Sequence, residues 1–146
     1  MIKKFLFIYL FLLSFFFTNS YSDDTLYMSL KYNKVNVRYG PGKDYPIKFI
    51  FNKKNYPVQI IDQKENFRKI IDFKKNGGWI HRSQLKKGSS LIVLNFSILF
   101  SDNTKFSRPL AKLEPGRLLN KEKCNLNWCK VETVEYKGWV LKESLW

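Results

Sequence analysis

The sequence predicts an all-β protein, two tandem small β-barrels behind an N-terminal export signal, and three observations carry that expectation. The stretch Gly77-Gly78-Trp79-Ile80-His81-Arg82-Ser83-Gln84-Leu85 returns as Lys137-Gly138-Trp139-Val140-Leu141-Lys142-Glu143-Ser144-Leu145, with Gly78 to Gly138, Trp79 to Trp139 and Leu85 to Leu145 all 60 residues apart. Short apolar runs rich in β-branched and aromatic residues recur between polar, glycine-containing turns. No stretch sustains a helical period.

The repeat divides the 146 residues into two units, each small enough to be marginal alone. Aromatic side chains, at 17% of the chain, are one remedy for a core that small. Lys and Arg number 26 against 12 acidic residues, a formal charge of +14, which attracts polyanions such as nucleic acid, anionic lipid or envelope polymers. Because 21 of the 26 are Lys, a general drift toward that residue accounts for the charge as well as a selected anion-binding surface does.

Residues 1–22 read as a secretory signal peptide: Lys3 and Lys4, an apolar run from Phe5 to Phe17, then small polar residues with cleavage expected after Ser22. The rival, a retained anchor, needs ~20 apolar residues to span a bilayer, and the run is shorter. Residues 23–86 form the expected first barrel. Leu26 to Lys31 reads as an edge strand, Val35 to Arg38 as a strand running into the loop Tyr39-Gly40-Pro41-Gly42, and Ile47 to Phe51, Tyr56 to Asp62, Phe67 to Asp72 and Trp79 to His81 as the strands that follow. Arg82 to Lys86 is short enough for one turn of tight helix. Residues 87–90 are the expected linker and 91–146 the second barrel. Its strands are expected at Leu91–Asn95, Ser97–Ser101, Pro109–Leu113, Arg117–Lys121, Trp128–Thr133 and Gly138–Leu141, and so short a connection predicts that the barrels touch.

Asn36-Val37-Arg38-Tyr39-Gly40-Pro41-Gly42 and the closing Gly78-Trp79-Ile80-His81-Arg82-Ser83-Gln84-Leu85 together resemble the bacterial SH3-like (Src homology 3-like) domains of exported and envelope proteins. The resemblance covers about residues 28–146, and the second unit departs from it, with Leu99-Phe100-Ser101-Asp102-Asn103 in place of the first motif. It implies five-to-six-stranded barrels used as binding modules, with cell-wall peptides the ligands of some members, and no catalytic activity.

Candidate ligand-binding residues are Arg38, Tyr39, Asp44 and Tyr45, in or beside the first loop: Tyr offers a flat apolar face with a hydroxyl, and Arg grips a carboxylate through two donors. The plainer reading is that Gly40-Pro41-Gly42 shapes a turn and Arg38 pairs with Asp44. Phe67, Trp79, Trp128 and Trp139 are expected to be mostly core, the glycine before each of Trp79 and Trp139 letting a neighbouring strand approach. Cys124 and Cys129 bracket a turn between two strands and, in an exported protein, read as a disulfide. Zinc needs about four ligands, more than these thiols and a distant His supply, so no metal is expected. The lone His81, with no nucleophile motif around it, caps the barrel or faces solvent.

The expected function is therefore a non-catalytic periplasmic or secreted module contacting peptidoglycan or an envelope protein. The alternative is an electrostatic binder of an anionic polymer, and an enzyme assisting cell-wall hydrolysis comes third. Neither a cofactor, a specific nucleic-acid partner nor a stable membrane anchor after leader removal is expected.

Overall fold

A computed structural model describes residues 27–146, and the leader assigned to residues 1–22 lies outside the described residues. Seven strands form the first sheet: β1 (Tyr27–Leu30), β2 (Val35–Arg38), β3 (Ile47–Phe51), β4 (Pro57–Lys64), β5 (Phe67–Ile71), β6 (Gly77–His81) and, after a one-turn helix at Arg82–Gln84, β7 (Leu85–Lys87). Their order is β3-β2-β6-β5-β4-β1-β7, with antiparallel pairing throughout. Leu30, Val37, Val58, Ile70, Ile80 and Leu85, from six different strands, meet in one buried cluster. A flat sheet could not bring its two ends to a common core, so the sheet is rolled into a barrel.

The second sheet holds β8 (Ser90–Ile92), β9 (Ser97–Phe100), β10 (Pro109–Leu113), β11 (Leu118–Cys124), β12 (Trp128–Glu132) and β13 (Lys137–Leu141), in the order β10-β9-β13-β12-β11-β8. It encloses its own cluster of Val93, Leu99, Leu113, Leu119, Val131 and Val140. A second one-turn helix, Lys142–Ser144, leads to a bridge between Leu145 and Val93. That bridge repeats the β1–β7 pairing of Leu30 with Leu85.

Two sequence expectations change here. The first strand is not an edge: β1 lies between β4 and β7, because Lys86 and Lys87, expected to close a helical turn and begin a linker, extend as β7 and pair with Ser29 and Met28. Trp79 and Trp139 are only half-buried. Side chains alternate along a strand, and Gly78 with Ile80, like Gly138 with Val140, takes the inner face, so each Trp must point outward. A Cβ on Gly78 would stand 2.6 Å from Val37 Cγ1 and 2.7 Å from the Arg38 carbonyl oxygen, which is why glycine precedes that Trp. Phe67 and Trp128, one strand earlier, are buried at 8% and 9% exposure.

Only Gly88 and Ser89 separate β7 from β8, and the barrels touch. At the seam the buried hydroxyls of Ser29 and Ser90 are 2.7 Å apart, the Ser89 N–H donates to Ser29 Oγ at 3.2 Å, and Ser90 donates to the Asn55 carbonyl. Trp146 packs edge-on against Tyr27, with ring centroids 5.5 Å apart, and lies 6.4 Å from the Phe73 ring.

Candidate functional site

The loop from Tyr39 to Pro46 joins β2 to β3 and is braced from within. The Arg38 guanidinium donates to the Tyr45 carbonyl at 2.7 Å, the Tyr39 N–H to the Pro46 carbonyl at 3.2 Å, and the Gly42 N–H to the Gly40 carbonyl at 3.0 Å. The Tyr45 ring lies against Gly40 and Gly42, filling the space a side chain would need at Gly40. The two glycines of the first motif are thus explained by one ring. Arg38 does not pair with Asp44; Asp44 is exposed, and no ion pair joins them among the described residues. The second domain's loop has no such ring, and Ser107 knits it instead, its hydroxyl donating to the Thr104 carbonyl at 2.9 Å and accepting from the Asp102 N–H at 3.1 Å.

Arg38 and Tyr39 border a shallow groove of about 300 Å³ on the outer face of the first barrel. Register pairs Trp79 with Arg38 on one side and with Lys69 on the other. Lys48, Lys75 and Ile61 complete the rim. The Lys48 ammonium donates to the Gly77 carbonyl at 2.9 Å and stands 5.8 Å from the centre of the Tyr39 ring, itself 64% exposed. No carboxylate lines the groove. Four cations around two aromatic rings form a surface suited to an anion with an apolar stem.

Lys75 reaches the groove from a turn organised by a residue whose role sequence reasoning missed. Asp72, only 2% exposed, accepts from the N–H groups of Lys74 at 2.9 Å and Asn76 at 2.8 Å, and from the Asn76 amide at 3.3 Å. Its other contact is the Tyr56 hydroxyl at 3.5 Å. Burial first, then the charge of Asp72 and that hydrogen bond, push the Tyr56 phenol up to about 12. The signal available was an Asp four residues before an Asn at the end of a strand, a side-chain-capped turn. In the second domain Thr133 takes this place and accepts from the Tyr136 N–H at 2.9 Å, closing a turn one residue shorter.

Of the predicted site residues, then, the structure joins Arg38 and Tyr39 to Trp79 and three lysines, gives Tyr45 to loop packing, and leaves Asp44 outside. His81 caps the one-turn helix: its Nδ1 accepts from the Ser83 N–H at 3.3 Å and lies 2.7 Å from Ser83 Oγ. Cys124 and Cys129 form a disulfide between directly opposed residues of β11 and β12, Cα atoms 4.0 Å apart. Asn125 tightens the hairpin, its side chain accepting from the N–H groups of Asn127 and Trp128 at 3.1 and 2.7 Å. A second groove, about 710 Å³, lies between this hairpin and the 101–108 loop, with Phe106 and Leu126 exposed at its rim. Among the described residues no group of three or more His, Cys, Asp or Glu could hold a metal ion, and no helix is long and apolar enough to cross a membrane.

Two short-stranded barrels in tandem, one carrying its candidate site beside a braced loop, define the class as a double small-barrel protein. The family model described as bacterial SH3 domain matches residues 31–87 and again 98–146, and the chain belongs to that family. No curated protein matches it by sequence. Among solved structures it is similar to NlpC2 from Trichomonas vaginalis, at 13% identity and a TM-score of 0.39 over 83% of this chain and 47% of that one. NlpC1 from the same organism gives 13% and 0.38 over 88% and 47%. An NlpC/P60 family protein from Bacillus cereus ATCC 10987 gives 11% and 0.37 over 82% and 55%. The chain spans about half the length of these structures.

Proposed function

We propose that the protein is a non-catalytic binding module of the cell envelope, periplasmic or secreted, that contacts peptidoglycan through its first domain. The observation that carries this reading is the grouping of Tyr39 and Trp79 with Arg38 and three lysines beside a braced loop; the second domain has Phe100 in the register position of Arg38. Rigid presentation lowers the ordering cost of binding, and exposed aromatic faces with cations suit the peptide and sugar parts of a cell wall. Membership of the bacterial SH3 domain family supports a binding role. The test is co-sedimentation of the protein lacking residues 1–22 with isolated cell-wall sacculi at low and moderate salt. Wild type is expected in the pellet and Tyr39→Ala largely in the supernatant; wild type in the supernatant at both salts sinks the reading.

A second reading has its own observation. Glu122 forms the only ion pairs among the described residues, with Lys130 and Lys137, and the chain carries a formal net charge of +14. An anionic polymer held by that charge alone would release counterions on binding, and its affinity would fall steeply with salt for wild type and Tyr39→Ala alike. Retention at moderate salt that depends on Tyr39 separates the first reading from the second.

A further inference from the structure

The two barrels can be superposed strand by strand through their pairing, and the comparison isolates what differs at the groove. Trp79 pairs with Lys69 on β5 as Trp139 pairs with Lys130 on β12. In each domain the long strand preceding that pair carries one extra, bulged residue next to this lysine: Ile61 between Ile60 and Asp62, and Glu122 between Lys121 and Lys123. The bulged residue holds the same register position in both. In the second domain it is a carboxylate, and it is held: Glu122 lies 2.9 Å from the Lys137 ammonium and 3.7 Å from that of Lys130. The hydrogen bond from Lys137, with the charges of neighbouring lysines, holds the Glu122 carboxyl below its usual range.

In the first domain the bulged carboxylate is missing, while Lys69 remains at the position of Lys130. Ile61, 47% exposed, stands where Glu122 would. Register also replaces Phe100 of the second domain by Arg38, since both pair with the Trp of the closing motif. Gly77 stands in for Lys137 opposite the end of the neighbouring strand, and Lys75 from the longer turn supplies a cation instead. The nearest acid by register is Asp62, across from Lys69, but its Oδ1 accepts from the N–H of Gln63 at 2.7 Å and it forms no ion pair. One domain therefore carries an internal anion on Lys130 and Lys137, and the other gathers Lys69, Lys75 and Arg38 around a groove without a carboxylate, beside an exposed Tyr.

We propose that the first-domain groove is a carboxylate subsite, in which the free carboxylate of a peptide ligand sits among Arg38, Lys69 and Lys75 while its apolar side groups lie on Trp79 and Tyr39. A carboxylate is the anion chosen because that group occupies the corresponding position in the second domain. Arg38 keeps donors free for it: one of five goes to the Tyr45 carbonyl. This subsite rests on the cell-wall reading for the source of its ligand, but not for its chemistry.

The experiment is titration of the protein lacking residues 1–22, followed by amide chemical shifts, with N-acetyl-D-alanyl-D-alanine, with the same peptide as its C-terminal amide, and with inorganic phosphate. The free acid is expected to shift the Trp79 and Lys69 amides and to bind at least tenfold more tightly than either other probe. Ile61→Glu, which restores the internal carboxylate, is expected to weaken the free acid at least tenfold, whereas Ile61→Gln changes it less than twofold; a urea midpoint for each variant checks that both fold. Equal binding of acid and amide, equal binding of phosphate, no binding, or equal effects of the two variants would each overturn the subsite. Sacculus co-sedimentation with a failed titration leaves the cell-wall reading and removes the subsite, and the reverse result removes the reading and leaves the subsite.

Discussion

The ring of Tyr45 rests against the bare α-carbon of Gly40 and leaves no room there for even a methyl group. Tyr45 is thereby a structural member of the loop it was expected to arm. Gly40→Ala must expel the ring or shift the loop, and is expected to cost about 1–3 kcal/mol, the range for overpacking a fitted site. Urea denaturation measures the cost. Tyr45→Ala in the same background should restore part of it, because the clash has then lost its second partner.

Asp72 is a buried carboxylate whose acceptor capacity is used by three N–H donors of its own turn. Asp72→Ala leaves the part-buried N–H groups of Lys74 and Asn76 without their acceptor and should destabilise the first domain by about 2 kcal/mol, with Asp72→Asn costing less. Peptide affinity should fall in step, since Lys75 loses the turn that delivers it. A variant with full stability and unchanged affinity would contradict this account of the turn.

Tyr56 gives an alkaline signature. Its phenol is raised from 10.0 to about 12 in the folded protein, so the folded state holds that proton more tightly than the unfolded state does. The resulting stabilisation is complete below about pH 10 and is lost as pH rises toward 12. Solvent screening of this half-buried group keeps it under ~1 kcal/mol. Wild type should lose more melting temperature between about pH 9 and 11.5 than Tyr56→Phe does, and parallel curves would refute the coupling.

The Cys124–Cys129 bridge closes a short ring, for which loop entropy gives about 2 kcal/mol. The Cys124→Ser, Cys129→Ser double variant should accelerate amide exchange in β11 and β12 by roughly 30-fold, the equivalent of that free energy. Exchange at Ile70, in the first domain's core, should change far less. Equal acceleration in both barrels would mean that they open as one unit.

How much of this was legible in the chain depended on how locally each feature is encoded. The barrels, the Arg38–Gly42 loop and the Cys pair rest on contiguous residues, and contiguous residues announced them. The outward aim of Trp79 and Trp139 is also present, in the alternation of Gly78 with Ile80 and Gly138 with Val140, but a glycine–tryptophan pair reads as core where only the parity of the strand marks the outer face. The groove was not legible. Arg38, Lys48, Lys69, Lys75 and Trp79 come from three strand pairings and a turn, and among 21 lysines nothing in sequence marks the three that converge. β7 was hidden for a related reason: Lys86 and Lys87 look like linker until β1 is seen to need a partner.

Phe73, next to Asp72 at the base of the turn that offers Lys75, lies between Tyr56 on one side and Trp146 on the other, at ring distances of 6.3 and 6.4 Å. Trp146, at the seam, thus props the first barrel's Lys75-bearing turn from the second barrel, as a buttress props a wall it does not share. A second domain whose Lys130 and Lys137 already hold Glu122 is then far from idle. Cut away from it, the turn would keep only Asp72 and the Tyr56 ring behind it, and a ligand pulling on Lys75 would meet a softer hand.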